Sequence, residues 1–128
     1  MRLLLDTQVL LWAADNSERL SAPGRKLLRS PENELLFSAA SLWEVAIKHS
    51  LGRVDFQVEP SVLRRGLIDN GYVELPITSQ HAVAVDALPD IHRDPFDRLL
   101  LAQAQCEGAM LVTADKVLAR YPGPIRLV

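Results

Sequence analysis

Apolar and polar positions along this chain fall into short alternating blocks. Leu3-Leu4-Leu5, Leu35-Leu36-Phe37 and Met110-Leu111-Val112 are unbroken apolar runs. A strand wetted on one side alternates with polar residues, so unbroken runs read as strands buried on both faces. Residues 2–5 give the first strand, Tyr72 to Leu75 another, closed by Pro76, and Ile125 to Val128 the last. Between them lie helical stretches with recognisable ends. Val9 to Ala14 form an apolar helix. Ser21 caps a second, with Pro23 just inside it and Lys26 to Arg29 in its body. Ser41 caps a third, placing Glu44 at the N3 position of a capping box, and Gly52 stops it. Val62 to Asp69 and Ser79 to Leu88 follow. Asp94-Pro95-Phe96-Asp97 is a helix start with a capping acid, proline at the first position and an acid at N3; Gly108 ends that helix. Lys116 to Arg120 form a short last helix.

Strands that alternate with helices imply a parallel sheet covered on both faces, an α/β domain. The 128 residues suit one domain, 1–128, with no linker or repeat. Apolar residues make up 48% of the chain, enough for a core and too many for disorder. The net charge of −2 argues against a protein that coats nucleic acid by excess positive charge, though a local basic rim can border an acidic pocket. Cys106 is the single cysteine, so no internal disulfide forms; a reducing cytoplasm is the expected compartment. Cys106 reads as core filler. Asp6 interrupts the first apolar run, so secretion is not expected, and no run approaches the ~20 apolar residues of a membrane span.

Four acids sit at the edges of apolar segments. Asp6 ends the first strand and Asp115 follows Met110-Leu111-Val112-Thr113-Ala114. Glu44 and Asp97 lie at the starts of apolar helices. Each alone has an ordinary explanation: a cap, a helix-dipole partner, or, for Glu44, an i,i+4 pair with Lys48. Together they share one place, the carboxyl edge of a parallel sheet, where open α/β folds bind ligands. Carboxylates ~5 Å apart repel by about 3 kcal/mol per pair at an effective dielectric of ~20. Such a cluster takes up protons or recruits a cation, and oxygen-rich sites suit Mg²⁺ or Mn²⁺. The chain has no G-x-S-x-G elbow, cysteine–histidine pair, P-loop or dinucleotide fingerprint. His49, His81 and His92 have no zinc spacing and read as surface or partly buried, His92 bordering the acidic site.

The segments Leu3-Leu4-Leu5-Asp6-Thr7-Gln8-Val9-Leu10-Leu11-Trp12, Ser41-Leu42-Trp43-Glu44-Val45-Ala46-Ile47-Lys48, Asp94-Pro95-Phe96-Asp97-Arg98-Leu99-Leu100-Leu101-Ala102-Gln103-Ala104 and Leu111-Val112-Thr113-Ala114-Asp115 resemble the four motifs of PIN domains, in order. The chain is most similar to the VapC-type toxins of bacterial type II toxin–antitoxin systems. The resemblance implies a three-layer α/β/α fold around a mainly parallel sheet, and a Mg²⁺- or Mn²⁺-dependent ribonuclease. Asp6, Glu44, Asp97 and Asp115 match the acidic quartet, with Asp6, Asp97 and Asp115 as metal ligands. Thr7 and Thr113 match supporting positions. The third motif offers two acids, Asp94 or Asp97, as the direct ligand; helix-start geometry makes Asp94 the cap, which favours Asp97 as the ligand and Asp94 as its support. Implied partners are RNA (tRNA or rRNA), a VapB-type antitoxin and a second copy of the chain, with no membrane. Lys48, Arg93, Arg98 and Lys116, and also Arg53, are candidate RNA contacts. Val9-Leu10-Leu11-Trp12 and Leu42-Trp43 exceed what a small core needs, so they are expected either in the core or on a dimer or antitoxin face. A PIN nuclease outside any toxin pair, or a catalytically silent binding module, are the alternative readings. A phosphate-accepting receiver domain fits poorly, because the first strand ends on Asp6 without a second adjacent acid.

Overall fold

The computed structural model describes all 128 residues. Five strands form one sheet in the order β3-β2-β1-β4-β5: β1 (Arg2–Leu5), β2 (Glu34–Ser38), β3 (Val73–Leu75), β4 (Met110–Thr113) and β5 (Ile125–Leu127). Every pairing is parallel, with Leu4 opposite Leu36 on one side and Leu111 on the other. Six α-helices cover the sheet: α1 (Thr7–Ala14), α2 (Ala22–Arg29), α3 (Ala39–Ser50), α4 (Pro60–Asp69), α5 (Ser79–Ala84) and α6 (Pro95–Glu107).

Successive strand residues face opposite sides of a sheet. Leu4, Leu36 and Leu111 therefore pack with Leu100, Leu101 and Ala104 of α6. Leu3, Leu5, Phe37 and Val112 pack with Val9 and Leu10 of α1 and Leu63 and Leu67 of α4. The two cores make three layers, and the apolar runs are the sequence trace of burial on both sides. Beyond β1 the chain turns to β2 and β3 on one side, whereas β4 and β5 lie on the other, so the order reverses between β1 and β4. That reversal opens a crevice at the carboxyl edge.

The α6 boundaries agree with the sequence reading. The Asp94 side chain accepts from the amides of Phe96 and Asp97, and Gly108 closes the helix at φ 66°, a left-handed conformation that glycine adopts without steric penalty. Other elements differ. Helix α1 begins at Thr7 because Asp6 itself caps it, accepting from the Val9 amide at 2.8 Å. Ser38, not Ser41, caps α3. Its hydroxyl takes the Ala40 amide and donates to Gln103 Oε1, whereas Ser41 is buried inside the helix and accepts from Thr7. Glu44 therefore stands in the second turn and belongs to no capping box.

The stretch 79–88 stays α-helical only to Ala84 and continues as a 3₁₀ turn over Val85–Ala87; 116–120 contributes only a 3₁₀ turn over Leu118–Arg120. The α4 helix starts earlier than expected, at Pro60, and Tyr72 and Val128 fall outside their strands. Cys106 is only partly buried rather than a core residue. His81 is fully buried, against expectation. Its Nδ1 accepts from the Thr78 amide, completing a capping box for α5, and its Nε2 bonds Glu107 at 2.9 Å.

Candidate metal centre

Four stretches of chain bring the acids to the crevice. Asp6 caps α1 at the end of β1, Asp115 follows β4, Glu44 projects from the second turn of α3 and Asp97 from the first turn of α6, and the amino ends of both helices lie at that edge. Asp6 is 4% exposed and Glu44 9%, so both carboxylates lie within the protein.

Asp6 is held from two sides. Oδ1 takes the Val9 amide, and Oδ2 accepts a short hydrogen bond from the Thr113 hydroxyl. Thr113 Oγ1 also accepts from the Asp115 amide at 3.0 Å, so one threonine ties two of the acids together. Burial pushes the Asp6 carboxyl up to about 6, against the Thr113 and Val9 bonds, with the charges of Asp115 and Glu44 adding to the rise. Asp97 is pushed up to about 7, first by burial, then by Asp94 and Asp6; the His92 ring works the other way and Glu44 adds to the rise. Asp115 behaves differently. Desolvation acts to raise it, yet the bond from His92 and the amides of Val117 and Leu118 hold it below the usual carboxylate range.

Glu44 Oε2 pairs with Lys48 Nζ at 3.0 Å, the i,i+4 pair expected from sequence. Glu44 Oε1 is buried with no hydrogen-bond partner. An ionised oxygen shut away from water without a donor is costly, and burial of this kind normally signals a missing cation or donor. The donor set is carboxylate-rich, two of its members hold protons more tightly than free carboxylates, and one oxygen is orphaned. Those features fit a hard divalent ion bound by oxygen.

Thr7 supports the site from behind, donating from Oγ1 to Ser41 Oγ at 3.0 Å. Asp94 is occupied as the α6 cap. Among the basic candidates, Arg93 and Lys116 are exposed, Arg53 pairs with Asp55, and Lys48 leans toward Glu44. Arg98 is half-buried and occupied: its guanidinium donates to the carbonyls of Pro89 and Val85 and to the Tyr121 hydroxyl. His92 enters the site more deeply than its sequence position foretold, with Nε2 at 2.8 Å from Asp115 Oδ2 and 3.4 Å from Asp97 Oδ2. Ligand atoms of His92, Asp97 and Asp115 lie within 4.8 Å of one another. Its adjacency to Asp94 was the only signal in the sequence; nothing there singles out Tyr121.

A family model described as the PIN domain matches residues 3–124. The chain belongs to the PIN domain family. PIN domains are generally nucleases. No curated protein matches the chain in sequence. Solved structures share its fold at low identity. VapBC2 of Rickettsia felis, bound to a DNA fragment from its promoter, has a TM-score of 0.72 at 17% identity, with 99% of this chain and 98% of that one covered. DNA-bound VapBC of Salmonella typhimurium has a TM-score of 0.66 at 15% identity over 100% and 97% of the two chains. A toxin–antitoxin complex of Klebsiella pneumoniae has a TM-score of 0.63 at 20% identity over 97% and 95%. This PIN domain is thus matched end to end by chains of its own size. No helix in it is long and apolar enough to cross a membrane.

Proposed function

We propose that this PIN domain is a Mg²⁺- or Mn²⁺-dependent endoribonuclease and the toxin of a VapBC-type pair. The observation that carries the reading is the buried, unpartnered Glu44 Oε1 beside two carboxyls held well above their ordinary range. Asp6 and Asp97 would hold the ion, with Asp115 completing its shell directly or through water. When bound, such an ion lowers the pKa of an attacking water and offsets charge on the scissile phosphate.

The chain's own groups do the rest. Glu44 orients or deprotonates the water, or helps to hold a second ion, and Lys48 keeps the Glu44 side chain aimed at the crevice. Thr113 fixes the Asp6 and Asp115 segments in register. Attack by water leaves a 5′-phosphate and a 3′-hydroxyl. Exposed Arg93 and Lys116 flank the acids and are the proposed phosphate contacts on a single-stranded loop of tRNA or rRNA. The action is cytoplasmic, where that RNA resides.

The partner reading is supported by a second feature. Leu11 and Trp12 of α1, Leu28 of α2, Leu35, Val62 of α4 and Tyr72 line a groove of about 1050 Å³ to which none of the four acids contributes. An amphipathic VapB-type antitoxin segment would bury those side chains, and the neighbouring VapBC structures are themselves toxin–antitoxin assemblies. Trp43, 60% exposed on α3, marks the face proposed for a second copy of the chain.

Incubating the purified protein with total bacterial RNA tests the reading. Cleavage in Mg²⁺ or Mn²⁺, abolished by EDTA and by Asp6→Ala, is the expected result. Cleavage that survives Asp6→Ala would overturn it.

A further inference from the structure

The loop before α6 carries a histidine whose ring orientation can be read from its neighbours. His92 Nδ1 accepts the Asp94 backbone N–H at 3.0 Å. A proton on Nδ1 would point at that N–H, so the ring proton sits on Nε2. Nε2 is the atom 2.8 Å from Asp115 Oδ2. The imidazole therefore faces the acids as a donor, and its lone pair faces away from them.

The loop is clamped in this position. The Tyr121 hydroxyl accepts the His92 amide at 2.8 Å and the Ile91 amide at 3.3 Å, and donates to the His92 carbonyl. Arg98 Nη1 reaches the same hydroxyl at 2.9 Å and the Pro89 carbonyl at 3.0 Å. Tyr121 is 4% exposed, so the clamp is buried. On the far side, the amides of Val117 and Leu118 hold Asp115 Oδ1. Both oxygens of Asp115 are thus engaged, Oδ2 by His92 alone.

We infer that His92 is a positioning residue: its Nε2–H holds Asp115 in register with Asp97, and the imidazole stays out of the ligand set. This rests on the metal-dependent nuclease reading above. It narrows that reading in two ways. The site binds its ion through oxygens only, despite the nitrogen in its midst, and Arg98 acts on the loop rather than on RNA.

Two measurements on the full chain test it. The first is a long-range ¹H–¹⁵N spectrum of metal-free protein, with the His92 signals assigned by their loss in His92→Gln, repeated with Mg²⁺. The expected pattern keeps the proton on Nε2, with Nδ1 the acceptor of the Asp94 amide, in both states. A ring protonated on Nδ1, or an Nε2 that loses its proton when Mg²⁺ is added, makes His92 a ligand and overturns the inference. The second is Mn²⁺ binding followed by electron paramagnetic resonance. Removing a residue that orients a ligand typically weakens metal binding about 10–100-fold, the loss expected for His92→Ala. His92→Gln, whose amide N–H reaches a similar point, should bind within a few-fold of wild type. Equal Mn²⁺ affinity in wild type and His92→Ala overturns the positioning role alone. Wild-type protein that binds neither ion overturns the nuclease reading and this role with it. If His92→Ala fails to fold, the spectrum and the glutamine variant still decide.

Discussion

Replacing Asp6 by asparagine should stabilise the metal-free protein above neutral pH while removing its response to metal. The Asp6 carboxyl is raised from 3.8 to about 6 by burial. Each pKa unit corresponds to 1.36 kcal/mol, so ionised Asp6 lowers folding stability by about 3 kcal/mol. The sign follows from linkage. A raised folded-state pKa means that the native state binds the proton more tightly than the unfolded chain does. The associated stability is complete below 3.8 and is lost as pH rises through about 6. Asparagine has no charge to desolvate, but it offers one oxygen where Asp6 uses two, and the Thr113 hydroxyl loses its acceptor, a penalty of about 1–2 kcal/mol. The net expectation is a gain of about 1–2 kcal/mol near pH 8 and a loss of similar size near pH 4. For a domain of this length 1 kcal/mol is about 4 °C in Tm. Circular-dichroism melts of both proteins in EDTA across that range would show the curves crossing between those limits. Adding Mg²⁺ at the alkaline end should raise the Tm of wild type and leave Asp6→Asn nearly unmoved. A variant less stable than wild type by a constant amount at every pH would refute the reasoning, because it would show that the buried carboxylate carries no desolvation penalty.

Glu44→Gln keeps a polar group beside Lys48 but removes the charge on the orphaned oxygen; RNA cleavage should fall by about 10²–10⁴-fold with Tm unchanged or higher, read by gel assay and thermal melt. Because Asp97 is raised to about 7 and Asp6 to about 6, ion binding below those values must displace protons. Calorimetric titration with Mn²⁺ near pH 6 in buffers of differing ionisation enthalpy should therefore show proton release that fades as pH rises past about 8. Leu101→Ala, at a fully buried α6 position against β1 and β4, should lower stability by about 2–5 kcal/mol in urea unfolding. Tyr121→Phe removes the hydroxyl that gathers the Ile91 and His92 amides; it should cost about 1–3 kcal/mol and weaken Mn²⁺ binding less than His92→Ala does.

The elements that carry the site were legible because each writes a local signature. Leu3-Leu4-Leu5 and Met110-Leu111-Val112 are continuous apolar runs since both faces of β1 and β4 are covered, and Asp94-Pro95 fixes the start of α6 through its own cap. The α3 start was misread because Ser38 and Ser41 are both competent caps. The choice was made by partners distant in sequence, Gln103 for Ser38 and Thr7 for Ser41, which no local pattern contains. The full burial of His81, which reads from sequence as surface or partly buried, has the same cause: its ring partners Gln103 and Glu107 lie far along the chain.

The order of apolar runs and caps along this chain was enough to fix an α/β architecture and to place four acids at the ends of its elements, because periodicity and capping act over a few residues. Their chemistry was decided in three dimensions. Desolvation of Asp6 and Asp97, the stranded oxygen of Glu44 and the engagement of both Asp115 oxygens depend on what surrounds each carboxylate, and those surroundings are assembled from segments far apart in the chain. The clearest divergence is between two residues six apart. Arg98 reads from sequence as a candidate phosphate contact and His92 as a residue on the border of the site, yet folding ties the guanidinium to the loop and sets the imidazole against the acids.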